Sequence, residues 1–166
     1  ESLDTDLYLL NSSGCTIELF KDFYVTPGLL STLKTNNKVL NVLGSVYAKE
    51  NQYDNCLLLN TNKSIVEALN GNLFLVKDNV IKTPPLTDGC LKGVMRKQVI
   101  EILKKLPDFE YVEESISPFE LQKADELFIT NVIQGIHPIT VFRKKSYNTT
   151  ISQSILAKLN MSVRLT

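Results

Sequence analysis

One glutamate stands in a stretch of sequence that is otherwise uncharged. Glu67 is the only charged residue in the run 65–76, IVEALNGNLFLV, whose other members are apolar or neutral. A charge in a segment suited to the protein interior is costly unless it is paired, so its presence calls for a chemical reason. A carboxylate favours the charged form of a cationic group that lies beside it. The simpler alternative is an ordinary exposed acid at the end of a strand.

A glycine stands where a helix is predicted to begin. Apolar residues recur at helical spacing between 92 and 106, and Gly93 lies at the start of that segment. The first amides of a helix have no partner within the helix, and a glycine allows a ligand to approach them closely. The N–H groups of Val94 and Met95 could therefore hold a phosphate. A plain glycine loop before a helix is the alternative, and the motif alone does not exclude it.

Other residue types that often carry chemistry are scarce. The single histidine is His137, beside a proline, and a hydrolase of the Ser-His-Asp type would have to use it. A lone histidine is more often structural. The cysteines Cys15, Cys56 and Cys90 are widely spaced, odd in number and form no CxxC pair, which argues against a zinc site or a disulfide framework. We expect three reduced thiols and no metal.

The spacing of apolar and turn residues predicts a mixed α/β domain with many short strands and about four helices. Two apolar runs, Leu7 to Leu10 and Thr16 to Val25, flank turn residues and predict a hairpin. A tight turn at 77–79 is expected to tolerate a positive φ at Asn79, and Ser117 and Glu120 predict a capping box. Helices are predicted at 37–50, 92–106, 117–125 and 150–159, and further strands at 56–59, 64–67, 72–76, 80–83, 111–116, 127–130 and 139–142.

Four pieces of the chain follow one another in an order typical of a known family. They are LKTNNKVL at 33–40, IVEALNGNLFLV at 65–76, TPPL at 83–86 leading to LKGVMR at 91–96, and ADELFITNVI at 124–133. Each piece is weak on its own. In this order and spacing they resemble the class IV aminotransferases, the fold-type IV enzymes that include branched-chain aminotransferase, D-amino-acid aminotransferase and aminodeoxychorismate lyase. The resemblance runs from about Leu19 to Pro138.

The resemblance implies pyridoxal 5'-phosphate (PLP) as the cofactor and assigns the site. Lys34 would form the Schiff base with PLP and move a proton at the substrate Cα, with Lys38 as the local rival. Glu67 would lie beside the protonated pyridine nitrogen. The other implied cofactor contacts are Leu91 at the ring, Gly93, Val94 and Met95 at the phosphate, and Asn131 and Val132 in a second loop. The loop residues Asn131, Val132 and Ile133 would also meet the substrate.

Three positions depart from the branched-chain transaminases. Where these enzymes have a tyrosine five residues after the lysine, this chain has Val39, and Met95 and Val132 replace the threonines of the two phosphate loops. The segments that contain these three positions resemble aminodeoxychorismate lyase more closely. We therefore expect a PLP-dependent lyase that converts 4-amino-4-deoxychorismate into 4-aminobenzoate and pyruvate, a step of folate biosynthesis. The alternatives are an amino-acid transaminase acting on branched-chain or D-amino acids with 2-oxoglutarate, and a non-catalytic isolated domain.

The resemblance also bears on domain organisation. Family enzymes carry a smaller N-terminal domain that supplies an arginine for the phosphate and much of the substrate pocket, and no such domain fits before Glu1. Residues 1–166 are therefore expected to form the C-terminal, PLP-binding domain of the D-amino-acid-aminotransferase-like fold, with short strands in a barrel-like sheet and the N-terminal small domain absent from this chain. Family members are commonly homodimers, so a homodimer is expected here.

Composition narrows the class of partner. The chain has 166 residues, 43% hydrophobic and 22% charged, which suits one packed domain. Lys+Arg and Asp+Glu both number 18, so the basic excess that nucleic acids or anionic membranes usually require is missing. No apolar run approaches the roughly 20 residues that span a bilayer, and no secretory signal is in view. We expect a cytoplasmic protein with a small, amino-acid-like substrate.

Overall fold

Short strands dominate the chain and alternate with four α-helices in the residues described. The computed structural model describes residues 7–9 and 13–164, with the side chains of 163 and 164 left out. The helices are α1 (Val39–Glu50), α2 (Val94–Leu103), α3 (Pro118–Lys123) and α4 (Thr150–Arg164). The strands are β1 (Thr16–Val25), β2 (Asn55–Asn60), β3 (Ile65–Ala68), β4 (Asn72–Lys77), β5 (Val80–Thr83), β6 (Glu110–Glu113), β7 (Glu126–Asn131), β8 (Gly135–Ile139), β9 (Val141–Phe142) and β10 (Lys145–Ser146).

The strands form two mixed sheets of five strands each. The first sheet has the order β10-β9-β1-β2-β3, and the second has the order β6-β5-β4-β7-β8. Strand β1 pairs in parallel with β2 and with β9, and β5 pairs in parallel with β6, whereas the other pairs are antiparallel. This arrangement confirms the mixed α/β class.

Three layers of apolar side chains hold the sheets and helices together. The inner faces of the two sheets share one core, to which β1, β2 and β3 contribute from one side and β4, β7 and β8 from the other. Helices α2 and α4 cover the outer face of the second sheet, where Phe74 and Phe128 stack with ring centroids 5.0 Å apart. Helix α1 covers the outer face of the first sheet through Ala48, which packs with Phe20 and Leu58. The two sheets therefore face each other around a common interior.

The predicted hairpin before β1 is wrong. Residues 7–9 form no strand, and residues 10–12 of that prediction lie outside the described residues. Strand β1 instead takes both its neighbours, β2 and β9, from later in the chain. Local periodicity identifies a strand but not its partner, because parallel pairing requires a crossover connection.

One turn and one strand also differ from the sequence-based expectation, and one helix cap agrees with it. The positive φ of the β4–β5 turn lies at Asp78 (φ 53°) rather than at Asn79, and the Asp78 N–H donates to Asp125 Oδ2 at 2.7 Å, which holds this backbone conformation. The predicted strand 139–142 is divided between β8 and β9, where the chain passes from the second sheet to the first. The capping box of α3 is confirmed, with Ser117 N–H donating to Glu120 Oε2 at 2.8 Å.

A buried glutamate fixes the start of α4. Both carboxylate oxygens of Glu126 accept backbone bonds there, from Ile151 N at 2.8 Å and Ser152 N at 3.0 Å, and the Ser152 hydroxyl donates to Oε2 at 3.2 Å. Replacing Glu126 with alanine leaves these donors without a partner, so we expect the free energy of unfolding to fall by about 2–3 kcal/mol. Urea denaturation measures this change in the free energy of unfolding. The matched control is Glu101→Ala, at an exposed position of α2, which should change stability by less than about 0.5 kcal/mol.

The described residues contain no helix long and apolar enough to cross a membrane. The same part of the chain holds no cluster of three His, Cys, Asp or Glu side chains that could bind a metal ion. The three cysteines are free and buried, and burial raises the pKa of Cys15 to about 12 and that of Cys56 to about 11. These thiols are therefore poor nucleophiles at neutral pH.

Candidate active site

Glu67 lies in β3, opposite Leu58 of β2, and is 7% exposed. Its Oε2 accepts a hydrogen bond from the Leu91 N–H at 2.8 Å and a long one from Asn72 Nδ2 at 3.5 Å. The same Asn72 nitrogen donates to the Leu91 carbonyl at 2.8 Å. Glu67, Asn72 and the Leu91 peptide therefore form one connected unit, and Oε1 of Glu67 has no protein donor among the described residues.

Burial controls the protonation of Glu67. The loss of water raises the pKa of the carboxyl from its ordinary 4.5 to about 7, against the opposing effects of the Leu91 amide and of the charges of Lys38 and Lys34. At neutral pH the carboxyl of the cofactor-free protein is therefore divided between its two forms. A cation beside Oε1 would favour the carboxylate, because an opposite charge at short range stabilises the ionised form.

The raised pKa of Glu67 predicts a pH-dependent stability. Between pH 4.5 and 7 the folded protein keeps a proton that the unfolded chain releases, so the stability contributed by the protonated form is lost as pH rises through this window. Across this pH window we expect the free energy of unfolding of the cofactor-free protein to fall by about 3 kcal/mol relative to that of the Glu67→Gln variant. Urea unfolding of both proteins at several pH values measures the difference. A constant difference from pH 4 to 8 would contradict the prediction.

The start of α2 offers backbone N–H groups that no side chain caps. Gly93 is the N-cap, no side chain caps the helix, and the N–H groups of Val94 and Met95 have no acceptor in the described part of the protein. A Cβ at Gly93 would lie 2.2 Å from Asn72 Oδ1, so a larger residue here would displace the Asn72 side chain that bonds the Leu91 carbonyl. Unpaired amides and the helix dipole together favour a phosphate. The helix begins at Val94, two residues later than predicted.

The loop that carries Lys34 is joined to this helix start. A one-turn 3-10 helix, Leu30–Thr32, precedes Lys34, and the Thr32 carbonyl accepts a bond from Lys92 N–H at 2.9 Å. The Leu91–Gly93 segment therefore links Glu67, the Lys34 loop and α2. The Lys34 side chain is exposed and forms no hydrogen bond or ion pair within the described residues, whereas Lys38 is half-buried. The positive charges of both lysines lower the pKa of Glu67, that of Lys38 more strongly.

The second loop assigned from the sequence follows β7. Asn131 uses its side chain to build the turn, because Oδ1 accepts from the N–H groups of Ile133 (3.0 Å) and Gln134 (2.8 Å). The residues Val132 and Ile133 are 58% and 86% exposed, and the Val132 N–H has no acceptor in the residues that the structure describes. This loop lies close to the Glu67 unit, since Thr130, which precedes it, pairs with Asn72.

Two buried polar residues near the site were not assigned from the sequence. Asn72 bridges Glu67 and Leu91, and its place in a buried strand was the available signal. Arg96 is 5% exposed, and its Nη2 donates to the Pro84 carbonyl at 3.0 Å and to Glu113 at 2.7 Å. It thereby anchors the first turn of α2 to the segment after β5.

An open cleft of about 700 Å³ lies beside the Lys34 loop. Its lining includes Leu30, Thr35 and Val39, and its volume suits a small ligand. A smaller polar cavity of about 200 Å³ lies elsewhere and includes His137 and Asp54 in its lining. Burial lowers the pKa of His137, which favours a neutral imidazole at physiological pH. No hydrogen bond joins this histidine to Glu67 within the described residues.

Known proteins are similar to this chain in sequence and in fold. A protein of Methanocaldococcus jannaschii, provisionally named a branched-chain-amino-acid aminotransferase, is 37% identical over 107 residues, which make up 64% of this chain and 37% of that protein. The crystal structure of a branched-chain aminotransferase from Thermoproteus uzoniensis with norvaline has a TM-score of 0.84 at 28% identity, covering 93% of this chain and 52% of that one. A provisionally named 4-amino-4-deoxychorismate lyase from Legionella pneumophila has a TM-score of 0.82 at 25% identity, covering 93% of this chain and 58% of that one.

The chain thus spans a little over half the length of these two solved structures, and 37% of the curated relative. Residues 16–142 match the family model for class IV amino-transferases, which is most of the chain. The two-sheet fold matches the solved structures of that family. The chain belongs to the class IV aminotransferases, a family of PLP-dependent enzymes.

Proposed function

We propose that this protein is a PLP-dependent lyase that releases 4-aminobenzoate and pyruvate from 4-amino-4-deoxychorismate. In this proposal Lys34 is the cofactor lysine, Glu67 binds the pyridine nitrogen, and the start of α2 binds the phosphate. The observation that supports it best is the role of Leu91–Gly93, whose backbone joins the buried carboxylate, the lysine loop and the uncapped helix. A PLP site needs these three elements together.

The residues fit the phosphate of PLP. A phosphate dianion needs several N–H donors and a positive potential, and α2 offers the free amides of Val94 and Met95 at the positive end of its dipole. The free Val132 N–H in the second loop could add a further donor. Gly93 allows the start of the helix to pack closely against Asn72, where a Cβ would lie 2.2 Å from Asn72 Oδ1.

The residues also fit the ring. Glu67 has Oε1 unbonded while Oε2 is held by Leu91, so one oxygen orients the carboxylate and the other is left for a pyridinium N–H. The positive ring nitrogen would in turn lower the pKa of Glu67, and each charge would stabilise the other. Leu91 has a half-buried side chain next to this carboxylate and is the apolar residue proposed to lie against the ring.

Each residue has a defined task in the reaction. Bound PLP supplies an electron sink for the pair left at the substrate Cα after proton loss. The Lys34 amine holds the cofactor at rest and, once displaced by the substrate amine, is the base that takes the Cα proton. Glu67 keeps the ring nitrogen protonated throughout. The ring C–O bond to the enolpyruvyl group would then break, and the proton held by Lys34 would pass to the departing enolpyruvate, which becomes pyruvate. The ring that remains is aromatic, and aromatisation supplies the driving force.

Three side chains favour the lyase over a transaminase. Val39 stands where the branched-chain enzymes have a tyrosine, and Met95 and Val132 stand at the two threonine positions. Met95 is buried among the apolar residues under α2, so it cannot replace a threonine hydroxyl at the phosphate. The phosphate contacts would therefore come mainly from backbone amides, which is the pattern of the lyase.

A transaminase is the second candidate, because the Methanocaldococcus jannaschii relative is provisionally named a branched-chain-amino-acid aminotransferase and the Thermoproteus uzoniensis structure is that of a branched-chain aminotransferase. The two reactions share Lys34 and Glu67 and differ in the fate of the Cα proton. A transaminase returns a proton to the cofactor carbon and releases a keto acid.

One assay separates the candidates. The full-length protein with PLP is offered 4-amino-4-deoxychorismate, and separately branched-chain or D-amino acids with 2-oxoglutarate. We expect pyruvate and 4-aminobenzoate in equal amounts from the first and little keto acid from the second. Keto acid formation without 4-aminobenzoate would select the transaminase. The absence of both activities, together with a failure to bind PLP, would select a non-catalytic domain.

The proposal extends to the assembly. Residues 1–166 would be the PLP-binding domain, and a further domain would supply the remaining phosphate contact and much of the substrate pocket. The protein would act as a homodimer in the cytoplasm. Family likeness is the support for these statements, and size-exclusion chromatography with light scattering tests the dimer.

A further inference from the structure

The segment that precedes β1 is attached to the last helix. Asn160 of α4 bonds the backbone of Tyr8 twice, since Tyr8 N–H donates to Asn160 Oδ1 at 3.0 Å and Asn160 Nδ2 donates to the Tyr8 carbonyl at 2.8 Å. The Tyr8 side chain packs beside the apolar residues beneath α2 and α4. The position of this tyrosine is therefore determined by contacts more than 150 residues away in sequence.

The tyrosine also contacts the second loop of the candidate site. Its hydroxyl donates to the Val132 carbonyl at 3.0 Å. Its ring lies so close to Gly135 that a Cβ there would be 2.6 Å from Tyr8 Cγ, and Gly135 has a φ of +71°. A side chain at Gly135 would exclude the ring, and both the contact and the backbone conformation favour glycine.

The bond from Tyr8 completes the restraint of one peptide unit. The N–H of the Val132–Ile133 peptide donates to Asn131 Oδ1, and its carbonyl accepts from Tyr8. With both ends held, this peptide cannot rotate without breaking a bond, which restrains the ψ angle of Val132 next to its N–H. The N–H of Val132 itself has no acceptor among the described residues and remains available to a ligand.

We infer that Tyr8 is a positioning residue that holds the 131–134 loop so that the Val132 N–H can bind the phosphate of the cofactor. This inference rests on the proposed PLP site and adds a residue that lies outside the family match, which begins at residue 16. Tyr8 acts through the Val132 peptide and does not itself touch the ligand. A loop ordered in advance binds more tightly, because the entropy of ordering is not lost on binding.

Tyr8→Phe tests the inference, since it removes the hydroxyl and keeps the ring against Gly135. Pyridoxamine 5'-phosphate is the probe, because it binds without forming a bond to a lysine, and pyridoxamine is the same ring without the phosphate. We expect Tyr8→Phe to weaken pyridoxamine 5'-phosphate binding by about 3- to 10-fold, the range of one lost hydrogen bond, and to leave pyridoxamine binding unchanged.

Two variants serve as comparison. Tyr147→Phe removes an equivalent bond from a tyrosine hydroxyl to a backbone carbonyl, that of Leu121 at 2.7 Å, and should leave the affinity for both probes unchanged. Asn160→Ala releases Tyr8 without touching the loop, so its effect should not add to that of Tyr8→Phe. An equal loss of affinity for both probes, or additive effects, would overturn the inference.

A readout without ligand separates this inference from the proposed function. In the cofactor-free protein, Tyr8→Phe should speed amide hydrogen exchange at Ile133 and Gln134 severalfold, while Tyr147→Phe should not. Failure of the wild-type protein to bind either PLP or pyridoxamine 5'-phosphate would overturn the proposed function and with it the phosphate role of Tyr8. Unchanged exchange at Ile133 and Gln134 would overturn the inference alone.

Discussion

Lys34→Ala is expected to abolish covalent attachment of PLP and to lower turnover by at least about 10²- to 10⁴-fold, the usual contribution of a positioned proton-transfer group. The physical reason is that one amine performs two tasks, holding the cofactor and taking the Cα proton. Cofactor attachment is measured by borohydride reduction followed by peptide mapping. Turnover is measured as release of pyruvate.

The matched control is Lys38→Ala, because Lys38 is four residues away and its charge also reaches Glu67. In this variant borohydride reduction should still attach the cofactor to Lys34. The pKa of Glu67 in the cofactor-free protein should rise, since one positive charge that favours the carboxylate is lost. Borohydride labelling of Lys38 in the wild-type protein would exchange the roles of the two lysines. Full activity of Lys34→Ala would show that Lys34 is not the cofactor lysine.

Glu67→Gln is expected to lower turnover by about 10²- to 10³-fold, the range seen when one preorganised electrostatic contact is removed from an active site. Glutamine is neutral, so it cannot stabilise a positive ring nitrogen, and the ring then withdraws electrons less strongly. The side chain keeps an acceptor for the Leu91 N–H, so the fold should persist. Steady-state turnover and cofactor absorbance, measured across pH, report the effect.

Glu113→Gln is the control for Glu67→Gln, because Glu113 is also a carboxylate near α2 but pairs with Arg96. It should reduce stability and leave the pH dependence of cofactor absorbance unchanged. Wild-type turnover in Glu67→Gln at every pH would show that the carboxylate has no part in the reaction. Glu67 would then affect only the pH-dependent stability of the cofactor-free protein and not the reaction.

Sequence alone identified most of the local structure of this protein. The bounds of β5 and the capping box of α3 agree with the prediction, because turn and cap residues such as Ser117, Pro118 and Glu120 act over a few residues. The unusual position of Glu67 was also visible, since a lone charge in an apolar run carries a desolvation cost wherever the chain folds. The family, too, could be recognised from the order of four motifs.

Tertiary structure decided which of these pieces meet. Strand β1 pairs with β2 and β9 rather than with a preceding strand, because parallel pairing depends on long connections that periodicity does not specify. The Leu91 backbone joins Glu67 to Asn72, and a peptide group carries no side-chain signal in the sequence. The hydroxyl of Tyr8 likewise bonds the backbone carbonyl of Val132 across 124 positions, a contact that leaves no signal in the sequence. Residue types determined which chemistry is available, and long-range packing determined which groups are close enough to perform it.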